Sequence, residues 1–84
     1  MRRFDSIFGE VVRKRRRDLG LSQEDLGFRS GLHRTYISEI ERGLKSPSLR
    51  AVYAIAKALK VSVSILALET EKQLSAQSII SEDT

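Results

Sequence analysis

The sequence predicts an all-α domain. It contains one proline, three phenylalanines, two tyrosines and no tryptophan in 84 residues. No stretch keeps the apolar–polar alternation of period two that a half-buried strand needs. Apolar residues recur instead three and four positions apart, the pattern of helices that bury one face. The length corresponds to one small domain.

The first helix is predicted from Arg3 or Phe4 to Leu19. Gly20 follows directly and supplies a stop signal. The helix contains an unbroken basic run from Arg13 to Arg17, which covers more than one helical turn, so its side chains point in all directions. The apolar positions at helical spacing are Phe4, Phe8 with Ile7 beside it, Val11, Val12 and Leu19.

A short second helix is predicted after Ser22. The Ser22 hydroxyl is placed to accept a hydrogen bond from the backbone amide of Asp25, as an N-cap does. The helix ends near Arg29 or Ser30. Gly31 then provides the left-handed conformation that a tight turn needs.

The third helix is predicted to begin after His33 and to end at Gly43. Two short helices joined by a turn of three or four residues containing glycine form the helix-turn-helix pattern. Gly27 is expected where the second helix closely approaches its neighbour. The predicted inward face is Leu32, Ile37 and Ile40. The outer face is then polar and consists of Arg34, Thr35, Ser38, Glu39 and Arg42.

Two more helices complete the prediction. Ser48 caps a fourth helix from Leu49 to Leu59, and a fifth runs from about Val63 to Lys72. The predicted inward face of the fourth helix is Leu49, Val52, Ile55, Ala56 and Leu59. These five helices define a domain over residues 1–74, and the polar residues 75–84 are expected to form a flexible tail.

Charge is unevenly distributed along the chain. Residues 1–60 carry 14 Lys and Arg against seven Asp and Glu, whereas residues 61–84 carry one against four. The first part is therefore expected to attract a polyanion and the second is not. An ordinary solvated surface is the alternative interpretation of the same charges.

The motif and its surroundings resemble a known family. The residues that carry the resemblance are Leu19 to Gly43, followed by Pro47 to Arg50 and Ile55 to Val61. They are similar to the Cro- and phage-repressor-like transcription regulators, also called the XRE family, over about Phe8 to Leu68. Within that family, Arg34 to Ser38 is most similar to the controller proteins of restriction–modification systems. The resemblance implies a five-helix, lambda-repressor-like fold that binds double-stranded DNA.

The resemblance also implies roles for single residues. Arg34 and Thr35 match residues that read bases. Ser38 and Glu39 lie one turn further on and are placed to reach base edges as well. Arginine can donate two hydrogen bonds to guanine, and glutamate can accept one from cytosine. For Glu39, a solvated surface charge is the alternative. Phosphate contacts are implied for Gln23, Tyr36 and Arg42, and surface packing is the alternative for Tyr36.

Other residues are predicted around the DNA contact. Arg16 and Glu41 match a structural ion pair between the first and third helices. Lys45 and Ser46 follow the third helix, where a loop can meet the DNA backbone. His33 is expected to act as a cap or a phosphate contact, and Arg17 or Arg13 is the member of the basic run expected to touch phosphate.

The fifth helix has more apolar residues than a single core-facing stripe requires. They are Val61, Val63, Ile65, Leu66 and Leu68. Tight packing on a small core is one interpretation, and a two-fold dimer interface is the other. One domain reads too few bases to be selective in a genome, which favours the homodimer.

The leading functional hypothesis is a homodimeric, sequence-specific transcription regulator on a palindromic operator. The alternative is a protein-interaction module of the antitoxin type, which uses the same fold to bind a protein. No nucleophile with a matching base, paired carboxylates or phosphate-binding glycine loop can be assembled, so an enzyme is not expected. With no cysteine and one histidine, neither a metal site nor a cofactor is expected. No apolar run is long enough for a membrane span, and a cytoplasmic location is expected.

Overall fold

Five helices follow one another in the computed structural model, which describes the backbone of residues 2–81 and the side chains of residues 3–76. They are α1 (Arg2–Asp18), α2 (Gln23–Ser30), α3 (Arg34–Glu41), α4 (Leu49–Ala58) and α5 (Val63–Ser81). No strand occurs within residues 2–81, and the predicted all-α class is confirmed. α1 packs against both α3 and α5, while α2 packs against α3 and α4.

One apolar core joins all five helices. Because each helix contributes residues spaced three or four apart, the buried side chains meet on one side of each helix. The deepest positions have at most 1% of their surface exposed and are Val12, Leu26, Ile37, Ile40, Ile55, Ala56 and Leu66. The predicted inward residue Leu32 packs against this core from its edge.

The boundaries of α2 and α3 arise from local hydrogen bonds. The Ser22 hydroxyl accepts from the amide of Asp25 at 2.9 Å, and the Asp25 carboxylate accepts from the amide of Ser22, also at 2.9 Å. This reciprocal pair is a capping box. Gly31 ends α2 and Gly43 follows α3, both with positive φ, so the predicted N-cap and glycine turns are confirmed.

Two glycines allow helices to approach closely. A Cβ atom at Gly9 would lie 2.3 Å from the carbonyl oxygen of Ile40, so α1 meets the backbone of α3 there. A Cβ atom at Gly27 would lie 2.7 Å from the carbonyl oxygen of Leu32. The expectation of a close approach at Gly27 is confirmed. The contact at Gly9 has no counterpart in the sequence prediction.

Three residues that the apolar pattern placed on inward faces are exposed. Leu49 retains 77% of its surface because it is the first residue of α4 and lies on the same outer side as the exposed Tyr53, one turn further on. Phe4 and Leu19, at the two ends of the predicted first stripe, are also exposed. The prediction of an inward Leu49 is therefore wrong.

α5 is longer than predicted and reaches Ser81 instead of Lys72. Residues 73–81 contain no glycine or proline to stop the helix, and Leu74 is half-buried one turn after the buried Thr70. Of the predicted flexible tail, residues 75–81 are helical in their backbone, and residues 82–84 lie outside the described residues. No single helix within residues 2–81 has the length and apolarity to cross a membrane; α4 and α5 meet that requirement only as a pair bent by 102°.

The connection between α4 and α5 contains a strained residue. Lys60 has a φ of 62°, the one positive value among the described non-glycine residues. The amide of Val61 donates to the carbonyl of Ala56 at 3.0 Å across this turn. This bond closes a left-handed helix cap of the kind that glycine usually occupies.

Candidate nucleic-acid interface

The outward side of α3 carries a row of polar side chains. Arg34 and Thr35 are exposed in its first turn, and Ser38 and Glu39 are half-buried one turn later. We call these four residues the reading face. A shallow cleft runs between them and α2, and its lining residues are Arg16, Ser22, Gln23, Glu24, Arg34, Thr35 and Ser38.

Arg34 has an acidic neighbour across this cleft. Its Nη1 atom lies 3.8 Å from Oε1 of Glu24. Both side chains are mostly exposed, so the pair is screened by water and weak. Glu24 therefore biases the position of the guanidinium group while leaving it free to exchange partners. Sequence analysis missed Glu24, because it lies ten positions before Arg34 and no local pattern relates the two.

The inner side of α3 is attached to α1 and α2 by a buried polar network. Arg16 donates from Nε to Oε2 of Glu41 at 2.6 Å and from Nη2 to Oε1 at 2.9 Å. Nη1 of Arg16 donates to the carbonyl of Leu21 at 2.8 Å, and Nε2 of Gln23 donates to Oε1 of Glu41 at 3.0 Å. The two charged side chains retain only 9% and 1% of their surface. Hydrogen bonding to Glu41 raises the pKa of Arg16 above its ordinary value, so the guanidinium group stays charged.

Residues assigned to phosphate contacts around α3 have different environments. The Nδ1 atom of His33 accepts from the amide of Thr35 at 3.0 Å and caps the helix. Tyr36 is partly buried against the core. Arg42 is exposed and donates from Nε to the hydroxyl of Ser38 at 3.3 Å. Gln23 has its amide nitrogen engaged by Glu41, which leaves its oxygen and its other N–H available.

Two further groups of predicted phosphate contacts are exposed to solvent. Lys45 and Ser46 are exposed in the loop between α3 and α4. Arg13 and Arg17 are exposed on α1, whereas Arg16 of the same run is buried. The run is thus divided between the core and the surface, as its coverage of more than one helical turn requires.

The apolar residues suggested for a dimer interface also divide into two groups. Val61 and Val63 are partly buried against the core, and Leu66 is fully buried. Leu66 therefore belongs to the core of its own chain, which differs from the interface placement given by the sequence. Ile65 and Leu68 lie three residues apart and expose 37% and 46% of their surface.

A second bidentate ion pair joins α1 to α5. Nε of Arg15 donates to Oε1 of Glu69 at 2.9 Å, and Nη2 of Arg15 donates to Oε2. The partners are 54 residues apart, so no local pattern indicates this pair.

Comparison with known proteins gives the same fold and family. The helix-turn-helix family model matches residues 12–66. The control protein C.BamHI of Bacillus amyloliquefaciens is 50% identical over 56 residues, which are 66% of this chain and 69% of that protein. The crystal structure of the restriction–modification controller protein C.AhdI of Aeromonas hydrophila superposes with a TM-score of 0.72 at 41% identity, covering 73% of this chain and 92% of that one.

Other relatives are longer. An HTH-type transcriptional regulator of Mycobacterium tuberculosis is 41% identical over 58 residues, which are 69% of this chain but only 41% of that protein. These relatives are named as a transcriptional regulator and a control protein, and not as enzymes. The chain therefore belongs to the XRE-type helix-turn-helix family of DNA-binding transcription regulators.

Proposed function

We propose that this regulator binds a palindromic operator as a homodimer, with α3 in the major groove. The observation that carries the proposal is the reading face: polar side chains project from a short helix whose inner side is held by Arg16, Gln23 and Glu41. A helix so fixed places its first turn against base edges with little freedom to misalign.

Within this proposal Arg34 is the main base reader. It is exposed at the first position of α3, and its contact with Glu24 is long and solvated. Little free energy is therefore lost when the guanidinium group leaves Glu24 and binds a guanine. Thr35 offers a methyl group to thymine, and Ser38 and Glu39 offer polar atoms one turn deeper. Gln23, His33, Tyr36, Arg42, Lys45, Ser46 and Arg17 complete the proposed contacts with phosphate.

The second copy is proposed to dock on α5 through Ile65 and Leu68. Two apolar side chains on one exposed turn are poorly placed in water and are covered when two such faces meet. A two-fold arrangement places two reading faces on half-sites about 34 Å apart, one turn of DNA. Leu68→Glu tests this interface by sedimentation, with Gln73→Glu as the control, because Gln73 is exposed and points about 140° away from Leu68 around α5.

The experiment that tests the function is selection of bound DNA from a random pool at two salt concentrations. The proposal predicts enrichment of two inverted half-sites at a fixed separation. Total affinity should fall steeply with salt, because phosphate contacts release counterions. Enrichment of no sequence at either salt concentration would overturn the proposal and favour the protein-interaction alternative.

We further propose that the regulated genes belong to a restriction–modification system. The support is the similarity to C.BamHI and C.AhdI, whose names identify them as control proteins. The enriched operator should then occur upstream of genes for a DNA methyltransferase or an endonuclease. An operator found only beside unrelated genes contradicts this assignment and leaves DNA binding intact.

A further inference from the structure

Two successive arginines of α1 are paired with carboxylates on two different helices. Arg16 is bonded to Glu41 on α3, and Arg15 is bonded to Glu69 on α5. Neighbouring residues of a helix point about 100° apart, so the two guanidinium groups leave α1 in different directions. α1 is therefore tied by a bidentate polar contact to the helix that carries the reading face and to the helix proposed to carry the dimer interface.

Glu69 lies beside that interface. It follows Leu68 directly and is one turn after Ile65, whereas the buried Leu66 and Thr70 attach α5 to the core. Apolar contacts are not directional, so they fix the depth of a helix better than its rotation. A bidentate arginine–carboxylate pair does set a direction, because both groups are planar and must align. The contact of Arg15 with Glu69 is placed away from the line of Leu66 and Thr70 and opposes rocking of α5.

We infer that Arg15 and Glu69 are positioning residues that fix the angle between α5 and α3 and so select the spacing of the two half-sites. The inference rests on the proposed dimer. A rotation of about 5° over an arm of roughly 20 Å moves a reading face by about 2 Å, and two-fold symmetry doubles the displacement to roughly one 3.4 Å base-pair step. A small change in this angle is thus sufficient to change the preferred spacer.

The charges around the pair provide a matched control. Lys14, Asp18 and Lys72 line the same surface as Arg15 and Glu69. Nζ of Lys14 lies 3.1 Å from Oδ2 of Asp18, and both of these side chains are well exposed on a single helix. This pair joins two residues of α1 to each other and no second helix to α1. Lys14→Gln therefore removes one positive charge from the same surface without releasing α5.

The test uses full-length protein and a DNA library in which the two selected half-sites are separated by spacers of stepwise length. The wild type is expected to enrich one spacer. In Arg15→Gln and Glu69→Gln, the preference for that spacer over its neighbours should fall at least about fivefold, the lower range of coupling between distant sites. Arg15→Lys keeps the charge but not the two-pronged geometry, and it should broaden the spacer preference as well. Lys14→Gln should match the wild type.

The possible outcomes separate this inference from the function on which it rests. A wild type that enriches no paired half-sites contradicts the proposed dimer. A wild type with a preferred spacer that Arg15→Gln and Glu69→Gln both retain overturns the positioning role. Unchanged spacer preference with a lower thermal midpoint would mean that the pair only stabilises the fold. Loss of dimerisation in sedimentation would mean that it holds the interface together, which also overturns the inference.

Discussion

The side chains of Arg16 and Glu41 are joined by two hydrogen bonds, at 2.6 and 2.9 Å, in the contact between α1 and α3. Within residues 3–76, no buried side-chain nitrogen or oxygen lacks a hydrogen-bond partner. Since Glu41 also accepts from Gln23, both of its oxygens are occupied inside the protein. The helix that carries the reading face is thus held by a charge pair that water barely reaches.

Glu41→Ala should lower the free energy of unfolding by about 3–5 kcal/mol, because it leaves the Arg16 charge buried without a partner. Denaturant titration followed by circular dichroism measures this change. Lys14→Ala is the matched control, since its pair with Asp18 is exposed, and it should lower the same quantity by at most about 0.5 kcal/mol. Equal losses in the two variants would show that burial adds nothing to the Arg16–Glu41 pair.

Arg34→Ala and Lys45→Ala should weaken DNA binding in different ways. Arg34→Ala is expected to reduce operator binding by about 1–3 kcal/mol and to leave binding to random DNA nearly unchanged. Lys45→Ala should weaken binding to both DNAs alike and reduce the salt-dependence slope by about 1. Titrations of operator and random duplexes at several salt concentrations separate the two cases. If Arg34→Ala weakened binding to both DNAs by the same amount, Arg34 would not be a base reader.

Gly9→Ala should move α1 away from α3. The new Cβ atom would meet backbone oxygen at 2.3 Å, and relief of such overpacking costs about 1–3 kcal/mol. Operator affinity should also fall in the folded variant, because α3 is displaced. Gly20→Ala is the control: its φ is 73° but no atom lies within 4 Å of the new Cβ, so it should lose stability through strain alone and retain affinity.

The close approach at Gly9 illustrates what the sequence cannot predict. The caps at Ser22 and Gly31 were predicted because their hydrogen bonds join residues close in sequence. Gly9 lies inside a helix, where glycine is less favourable than alanine by about 1 kcal/mol, and its reason is a backbone 31 residues away.

The other differences between the predicted and observed helices also arise where the local sequence pattern does not show the tertiary contacts. The apolar stripe of α4 correctly predicts the burial of Ile55. Leu49 fits the stripe by spacing, but it is the first residue of the helix and stays mostly exposed. The sequence pattern places the end of α5 too early, because the apolar stripe fades after Lys72 although no glycine or proline follows to end the helix.

Lys60→Gly should stabilise the protein. A left-handed conformation costs a non-glycine residue about 1–2 kcal/mol, and part of that gain is offset by the greater freedom of glycine in the unfolded chain. We expect a net increase of about 0.5–1 kcal/mol in the free energy of unfolding. Lys57→Gly, inside α4, should have the opposite sign at similar size. A thermal midpoint for Lys60→Gly below that of the wild type would contradict the assignment of strain.

Acidification should destabilise the folded chain through Glu69 and Asp25. The hydrogen bonds from Arg15 lower the pKa of Glu69, and the backbone amide of Ser22 lowers the pKa of Asp25. A carboxylate with a depressed pKa stabilises the fold when the pH is above its ordinary pKa of about 4. This contribution is lost as the pH falls through the lower pKa of the folded state. The nearby cations Lys14 and Lys72 act in the same direction on Glu69.

The measurement is the free energy of unfolding between neutral pH and about pH 3, across the ordinary carboxylate range. Glu69→Gln should flatten the acidic decline, because its amide does not titrate. A decline in Glu69→Gln as steep as in the wild type would show that Arg15 does not depress the pKa of this carboxyl group.

α3 has only eight residues, and an isolated helix of that length is not stable in water. Its order comes entirely from the surrounding core, from the His33 cap and from the bonds to Glu41. The entropy of ordering the helix is therefore lost when the protein folds, before any DNA is met. Association then involves two rigid bodies, so the heat-capacity change of binding should reflect surface dehydration without the larger change that accompanies coupled folding.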